Sequence, residues 1–186
     1  MQETDETIYR RYLQSHDHDD LRLLFDRHRE SLVLFLRGFV RREEDAEDLM
    51  MDTFAVVASG TARFNGKSSF KTWMFAIARN RAMTFLRKAS REIATSQEPK
   101  TQEDSAPEFE LLRQEKNLAL YRAMETLPDE YRQALYLVYF EQMMQDEACR
   151  VMRKTRKQMY NLTERGRSAL RETLKSMGFE NAAEGA

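Results

Sequence analysis

The first part of the chain alternates apolar and polar residues with the period of an α-helix. Between Leu21 and Phe39, apolar side chains recur every three or four residues, which predicts an amphipathic helix over that range. The same spacing predicts a second helix from about Glu43 to Ser59. The residues predicted on its core-facing side are Ala46, Leu49, Met50, Thr53 and Val57.

A turn separates these two helices from a third one. The Asn65-Gly66 pair favours a tight turn, and Ser68 or Ser69 is placed to cap the helix that follows. One side of this third helix is apolar, and it carries Phe70, Trp73, Met74 and Ile77.

Apolar periodicity stops in residues 91–108, where Pro99 and Pro107 stand among polar residues. Such a stretch predicts an exposed, flexible linker between two domains. The periodicity returns after it, at Phe109, Leu112, Leu118 and Tyr121. Pro128 suits the first turn of a further helix, which we expect to run through Phe140.

Two helices in close succession are predicted near the end of the chain. A short helix from about Met144 to Met152 precedes a longer one from about Arg156 to Ser176. Thr155 and Gln158 match a capping box, which fixes the start of the longer helix. A short helix, a tight turn and a second helix form the arrangement of a helix-turn-helix domain.

Composition supports an all-α fold of two small helical domains. The 186 residues include only six glycines and three prolines, and strong helix formers outnumber β-branched residues. The length suits two small domains better than one. We therefore predict a first domain over residues 1–90, the flexible linker over 91–108, a helix-turn-helix domain over 109–178 and a disordered tail over 179–186.

The sequence also narrows the cellular setting and the class of protein. No stretch approaches the roughly 20 apolar residues of a membrane span, and the acidic N-terminus lacks the pattern of a signal peptide. The single cysteine, Cys149, cannot form an internal disulfide. These features predict a cytoplasmic protein without membrane insertion.

No motif in the chain predicts catalysis, a metal or another cofactor. A Gly-rich phosphate loop, paired metal ligands and a Ser-His-Asp set are all missing from the sequence. Residues 16–20, His-Asp-His-Asp-Asp, have metal-ligating side chains, but a solvated approach to a helix explains them better. We predict that the protein is not an enzyme.

The net charge of -1 conceals a strong sorting of charge along the chain. Residues 43–52 contain six acidic residues and no basic one. Residues 79–91 contain only basic charges, and residues 150–171 are basic except for Glu164. The chain therefore offers one acidic and two basic surfaces to partners.

The last predicted helix has the chemistry of a DNA-reading helix on its outward side. That side carries Lys157, Tyr160, Asn161 and Arg171, with Arg156 at its edge, whereas Met159, Leu162, Thr163 and Leu170 point inward. Lysine and arginine seek phosphates, and asparagine can hydrogen-bond base edges. The pattern alone leaves open an ordinary surface helix with a solvated basic face.

The third helix and the turn before it combine cations with aromatic and hydroxyl groups, which is typical of single-strand binding. A helical wheel of the third helix places Arg79 nearly opposite its apolar side and Arg81 on that side. Arg81 is therefore expected to be a structural residue with a charged partner. Helical spacing explains Phe70 and Trp73 as core residues, while Phe64 is the more open candidate.

The second helix carries three carboxylates, Asp45, Asp48 and Asp52, within a narrow arc. Like charges at this spacing repel each other, and a basic partner surface would relieve the repulsion. A solvated acidic face is the simpler alternative.

Two groups of segments resemble extracytoplasmic-function (ECF) sigma factors of bacteria. The first group resembles region two of that family and comprises DAEDLMMDTF at 45–54 and SFKTWMFAIARNR at 69–81. The second resembles region four and comprises LPDEYR at 127–132, EAC at 147–149, QMYNL at 158–162 and RGR at 165–167. Cys149 stands where the family often has a small alanine, which favours a packing role over redox sensing.

The resemblance implies a sigma factor that gives RNA polymerase its promoter specificity. It implies that the acidic helix binds core RNA polymerase through Asp45, Asp48, Met51 and Asp52. Contacts to the minus-ten element of promoter DNA are implied for Phe64, Asn65, Lys67, Ser68, Arg79, Arg87 and Lys88. Those to the minus-thirty-five element are implied for Arg153, Lys154, Arg156, Lys157, Tyr160 and Asn161. An anti-sigma factor is a further partner that the resemblance implies.

Two other classes of protein compete with this interpretation. A stand-alone DNA-binding regulator would need the last basic helix but not the acidic one. A structural helical adaptor would show no dependence on nucleic acid. Tight, specific duplex binding without polymerase would favour the regulator.

Overall fold

The computed structural model describes residues 3–93 and 115–179, and within these ranges every regular element is helical. The all-α prediction is therefore confirmed. The α-helices are α1 (Asp5–Ser15), α2 (His18–Leu36), α3 (Glu43–Ser59), α4 (Phe70–Ile93), α5 (Glu115–Glu125), α6 (Asp129–Leu135), α7 (Gln145–Met152) and α8 (Arg156–Ser176). A π-helical turn, Tyr136–Phe140, continues α6.

The chain divides into two compact units, residues 1–103 and 104–186. Among the described residues, the first unit holds α1 to α4 and the second holds α5 to α8. Most of the predicted linker, the predicted tail beyond Phe179, and the periodic residues Phe109 and Leu112 lie outside the described residues. Residues 91–93 continue α4, so this helix runs slightly past the predicted domain end.

Helices α2, α3 and α4 pack against one another in the first unit. The predicted helix over residues 21–39 exists, but it begins at His18 because Asp17 caps it, accepting a hydrogen bond of 2.9 Å from the Asp19 N–H. It ends at Leu36, and the residues that follow stay buried in a turn. The fully buried large side chains at the centre of this core include Leu24, Leu32, Phe35, Leu36, Phe70, Met74 and Phe75.

Helix α3 has the bounds and the sidedness that the sequence predicts. The residues predicted on its inner side, Ala46, Leu49, Met50, Thr53 and Val57, are all buried. Gly60 ends the helix in the left-handed conformation with φ of 63°, which glycine adopts without steric cost. This sidedness leaves the acidic face of α3 to solvent.

Helix α1 was not predicted, because its apolar positions are few and its residues are mostly charged. It buries Ile8, Tyr9 and Tyr12 against the rest of the first unit. The Asp5 carboxylate accepts from Arg27 Nη1 at 2.7 Å and lies 2.7 Å from His28 Nε2. The hydrogen bond with His28, followed by that with Arg27, lowers the pKa of Asp5 despite its partial burial.

The acidic segment at residues 16–20 serves the fold in this structure. Asp17 caps α2, and Asp20 accepts hydrogen bonds from Arg11 Nε, the shorter of them at 2.8 Å. This pairing with Arg11 lowers the pKa of Asp20. Within the described residues, no group of three or more metal-ligating side chains comes together.

The second unit is built around the crossing of α6 and α8. Pro128 caps α6, and the predicted run through Phe140 is helical, although its last five residues form the π-helical turn. Gly166 lies where α8 meets α6, and a Cβ atom at that position would lie 3.2 Å from Leu135 Cγ and 3.3 Å from Tyr131 Cβ. The lack of a side chain therefore lets the two helices approach closely.

Helices α7 and α8 confirm the predicted helix-turn-helix, with α7 starting one residue later than expected. The capping box also forms: the Gln158 N–H donates to Thr155 Oγ1 at 3.2 Å, and the Thr155 N–H donates to Gln158 Oε1 at 2.9 Å. Val151, Met152 and Met159 are buried, so both helices belong to one core. Among the helices described, none is both long and apolar enough to cross a lipid bilayer.

Candidate protein and nucleic-acid interfaces

The outer face of α3 is acidic with one apolar residue at its centre. Asp48 and Asp52 are exposed, Asp45 is partly buried, and the side chain of Met51 is 55% exposed. Neither Asp48 nor Asp52 forms an ion pair with another described residue, so both carboxylates are open to a partner. This face could hold a basic protein surface, with Met51 supplying an apolar contact.

The α3–α4 loop, residues 60–69, is ordered by local hydrogen bonds. Asn65 Oδ1 accepts from the Lys67 N–H at 3.0 Å, and Gly66 adopts φ of 70°. Ser69 caps α4, as predicted, because its Oγ accepts from the Thr72 N–H at 3.2 Å. Asn65 and Lys67 are exposed and Ser68 is partly buried, so the tip of the loop can reach a ligand.

Phe64 anchors this loop instead of pointing freely into solvent. Its ring centroid lies 5.2 Å from that of Trp73, 6.0 Å from that of Tyr9 and 6.1 Å from that of Phe70. Phe70 is fully buried, as predicted, whereas Phe64 and Trp73 are partly buried. The four rings form an aromatic cluster at the base of the loop.

The cations of α4 do not all lie where the helical wheel predicts. Arg87 and Lys88 are exposed, as the predicted nucleic-acid contact requires. Arg79 is partly buried with its Nε atom inside the protein, while Arg81 is exposed, so the relative exposure of these two residues is the reverse of what the helical wheel predicts. Tyr9 of α1 packs against Phe70 and Trp73 at the start of α4.

Helix α8 presents its predicted reading face to solvent. Lys157, Tyr160 and Asn161 are exposed, and Tyr160 keeps 57% of its surface accessible. Met159 and Leu170 on the other side are buried. Thr163 Oγ1 donates to the Met159 carbonyl at 3.1 Å, so the polar side chain at this inner position is satisfied within the helix.

Two predicted DNA contacts beside α8 are already engaged by carboxylates. Lys154 Nζ lies 2.6 Å from Glu130 Oε1, and Arg156 Nη2 lies 2.6 Å from Asp146 Oδ2. Sequence reasoning missed both acidic partners, because Glu130 is 24 residues away from Lys154 and Asp146 is ten residues away from Arg156. Helical period alone carries no signal of such tertiary pairs.

The turn between α7 and α8 holds one backbone exception. Arg153 is exposed and ends α7 with φ of 53°, in the left-handed region that glycine usually occupies. The exposed side chain of Arg153 therefore lies just before α8, whose outer side is the predicted DNA-facing surface.

Cys149 is partly buried in α7. Burial, with a smaller contribution from the Asp146 carboxylate, raises the pKa of its thiol. A raised pKa keeps the group protonated at neutral pH, which accords with a packing role.

Both units match models of one protein family. Residues 24–92 match sigma-70 region 2, and residues 117–170 match sigma-70 region 4. Together the two matches span well over half of the chain and coincide with the two compact units.

Curated relatives and solved structures agree with these matches. The chain is 25% identical over 169 residues to the ECF RNA polymerase sigma factor SigX of Bacillus subtilis, covering 87% of each chain. It is 25% identical over 138 residues to the sigma factor YlaC of the same organism, covering 72% of this chain and 80% of that one.

The fold resembles that of the sigma factor RpoE from Bartonella quintana, solved with the anti-sigma factor NepR. The TM-score is 0.70 at 22% identity, and the match covers 84% of this chain and 97% of RpoE. The matched regions, their order and the helical fold together show that the chain belongs to the sigma-70 family and is an RNA polymerase sigma factor of the ECF type, a class of non-catalytic transcription initiation factors.

Proposed function

We propose that this sigma factor works in the cytoplasm through three separate surfaces. One surface binds core RNA polymerase, and the other two recognise promoter DNA once the polymerase is bound. The acidic face of α3 binds the polymerase through Asp45, Asp48, Met51 and Asp52. The minus-ten element is opened and a non-template base captured by the α3–α4 loop and α4, through Phe64, Asn65, Lys67, Ser68, Arg79, Arg87 and Lys88. The duplex minus-thirty-five element is read by Arg153, Lys154, Arg156, Lys157, Tyr160 and Asn161.

The sidedness of α8 carries this proposal. A capping box fixes the first turn of the helix, and Met159 holds it on the core, so the exposed side chains have a defined direction. Lys157 offers a cation for a phosphate, while Asn161 offers a donor and an acceptor that match the edge of adenine. A basic helix without a reading function would not need this combination.

The open carboxylates of α3 support the docking surface. Asp48 and Asp52 lie exposed one turn apart around Met51, and their mutual repulsion falls when a basic surface covers them. The basic partner is proposed to be the clamp helices of the polymerase's largest subunit.

The minus-ten assignment rests on the exposed tip of the α3–α4 loop beside exposed cations. Phe64 serves there as the anchor of the loop, and Asn65 and Lys67 extend outward from it. Arg87 and Lys88 provide the positive charge that a single-stranded backbone requires. Arg79, being partly buried, is proposed to contribute through its guanidinium edge rather than its whole side chain.

We also propose that an anti-sigma factor regulates this protein. The support is the likeness of its fold to that of RpoE, which was solved with an anti-sigma factor. An inhibitor of this kind would have to cover the acidic face of α3 or the basic faces, because these are the surfaces that the proposed activity uses.

The test is promoter binding by the purified protein with and without core polymerase. Each basic surface is small, and phosphate contacts weaken steeply with salt, so the protein alone should discriminate poorly near physiological ionic strength. Core polymerase holds both units at the spacing of the two elements, which makes the second contact intramolecular. We expect gel-shift discrimination between promoter and scrambled duplex only when core is present; strong discrimination by the protein alone would favour a stand-alone regulator.

A further inference from the structure

One side of α1 contacts both ends of the α3–α4 loop. The residues of this side are Glu6, Tyr9, Tyr12 and Leu13, which recur at helical spacing. Helix α1 lies outside residues 24–92, the part of the chain that matches sigma-70 region 2. Nothing in that match therefore assigns a role to this helix.

The end of α3, where the loop begins, is held by two hydroxyl groups of α1. Tyr9 Oη donates to the Val57 carbonyl at 3.0 Å, and Tyr12 Oη donates to the Ala58 carbonyl at 2.9 Å. These carbonyls belong to the last turn of α3, which has no following turn of helix to supply donors, and the Val57 carbonyl also accepts from the Gly60 N–H at 3.3 Å. A Cβ atom at Gly60 would lie 3.8 Å from Leu13 Cδ2, so α1 also packs against the first residue of the loop.

The start of α4, where the loop ends, is held by a carboxylate. Glu6 Oε1 accepts from the Phe70 N–H at 2.7 Å across 64 residues of sequence. This N–H is one of the first in α4 and has no partner within the helix, and a negative charge at this end complements the helix dipole.

The middle of the loop is held by an aromatic ring. The Tyr9 ring packs edge-on against Phe64 with 6.0 Å between centroids, and its centroid lies 5.0 Å from that of Phe70. Phe64 is thereby fixed at the base of the loop, and Asn65 and Lys67 are left to project outward. Three parts of the loop thus depend on one helix.

We propose that α1 positions the α3–α4 loop for capture of the unstacked promoter base, with Glu6 and Tyr9 as its positioning residues. This inference rests on the proposed minus-ten function of the loop. Extruding a base from the stack is costly, and a loop that is already ordered loses less conformational freedom when it binds that base. Helix α1 supplies that order from outside the loop sequence.

The test measures the preference of the core-bound protein for a base over an abasic site. The probe is a promoter duplex with a pre-melted minus-ten element, in which a single abasic site is scanned along the non-template strand. The wild type should lose affinity when the abasic site reaches the captured position. The affinity ratio there, base over abasic, is the readout, and binding to the duplex minus-thirty-five element is the internal reference.

The variants separate the hydrogen bond from the charge. Glu6→Ala leaves the Phe70 N–H without its acceptor and should lower the ratio about tenfold. Glu6→Gln keeps an oxygen acceptor and should restore the ratio, although it removes the charge. Tyr9→Leu should lower the ratio at least as much as Glu6→Ala, because it removes both the ring contacts and the hydroxyl.

The control is Val33→Ala, which shortens a buried side chain of α2. It should lower the melting temperature of the first unit and leave the ratio unchanged. A wild-type ratio in Glu6→Ala, or an equal loss of the ratio in Val33→Ala, would overturn the proposal. If the wild type itself shows no base preference at any scanned position, the result contradicts the proposed minus-ten function of the loop and not the role of α1. If Tyr9→Leu does not fold, the comparison of Glu6→Ala with Glu6→Gln still tests the proposal.

Discussion

The two units of this sigma factor hold their proposed DNA-contacting parts by different means. In the first unit, the α3–α4 loop is fixed by contacts from distant α1, such as Glu6 with Phe70 and Tyr9 with Val57. In the second unit, the turn before α8 is flanked by ion pairs at the surface, Lys154 with Glu130 and Arg156 with Asp146. The first set of contacts consists of hydrogen bonds to the backbone and packed aromatic rings, while the second consists of ion pairs between side chains.

This difference predicts that the two units respond differently to ionic strength. Aromatic packing and hydrogen bonds to the backbone respond weakly to ionic strength, so the anchoring of the α3–α4 loop should depend little on salt. In the proposed complex, the carboxylates of Glu130 and Asp146 would compete with DNA phosphates for Lys154 and Arg156. Duplex recognition should therefore be the part that salt and single charges tune.

The largest expected effect tests the claim that the acidic face of α3 serves binding and not folding. Replacing Asp48 and Asp52 together by Lys should weaken binding to core polymerase by at least about 100-fold, because like charges then meet in the interface. The helical content should not change, since both side chains are exposed. Fluorescence-detected titration with core polymerase gives the affinity.

The matched control places the same change of charge on α2. Asp19 and Asp26 are exposed, and their replacement by Lys adds the same positive charge as the double change in α3. This control should retain core binding within a fewfold. Equal losses in both double variants would show that net charge matters rather than the α3 face.

The next effect concerns how α8 divides specificity from affinity. Asn161→Ala should reduce discrimination at one base pair of the minus-thirty-five element by about 1–3 kcal/mol. Lys157→Ala should weaken promoter and scrambled duplexes alike and reduce the slope of log K against log salt by about 1. Competition binding by the core-bound protein over a salt series measures both. An unchanged footprint for the two variants would mean that another face of α8 meets the DNA.

A third prediction tests whether the units are stabilised independently. Alanine at Gly166 would bring a Cβ atom within 3.2 Å of the buried Leu135 side chain. Overpacking of this kind costs about 1–3 kcal/mol, which outweighs the roughly 1 kcal/mol that alanine gains over glycine in a helix. The melting temperature of the second unit should fall by several degrees.

The chain provides a probe that distinguishes the units in this experiment. Trp73 is the only tryptophan and belongs to α4, so its fluorescence follows the first unit, while circular dichroism follows both. Gly166→Ala should shift part of the dichroism transition and leave the Trp73 transition in place. Ser168→Ala, at an exposed position of the same helix, should shift neither by more than a degree or two. A shifted Trp73 transition would show that the units unfold together.

The smallest expected effect tests directly whether the ion pairs of the second unit compete with DNA. Glu130→Gln combined with Asp146→Asn releases Lys154 and Arg156 without changing shape, and exposed ion pairs are worth little to stability. Binding to any duplex at low salt should therefore tighten about two- to fivefold, with a steeper salt dependence. Weaker binding would show that these pairs hold the turn in its reading geometry instead of competing with phosphates. The corresponding neutral change in the first unit, Glu6→Gln, should not alter duplex binding through α8.

Elements with local signals could be predicted from the sequence alone. Helix α3 ends at a glycine and α8 begins with a capping box, and both have the bounds that the sequence predicts. The inner face of α3 follows from spacing for the same reason. Such signals involve residues that are three or four apart.

Features that depend on contacts between distant residues could not be predicted from the sequence. Helix α1 buries only Ile8, Tyr9 and Tyr12, and the hydrogen-bond partners of Tyr9 and Glu6 lie 48 and 64 residues further on. The exposure of Arg79 and Arg81 was also missed, because a helical wheel does not show which parts of a helix are covered by other elements of the fold. The carboxylate partners of Lys154 and Arg156 are likewise set by the fold and not by period.

The left-handed backbone at Arg153 has a consequence for how such a protein can change over generations. A non-glycine residue in this conformation is disfavoured by about 1–2 kcal/mol, while glycine would increase the conformational entropy of the unfolded chain by about 0.4–1 kcal/mol. The two effects oppose each other, so exchanges between arginine and glycine at this turn change the free energy of unfolding by only about 1 kcal/mol. If Arg153 contacts the minus-thirty-five element as proposed, exchanges at this position would change promoter contact without requiring a compensating change in the core.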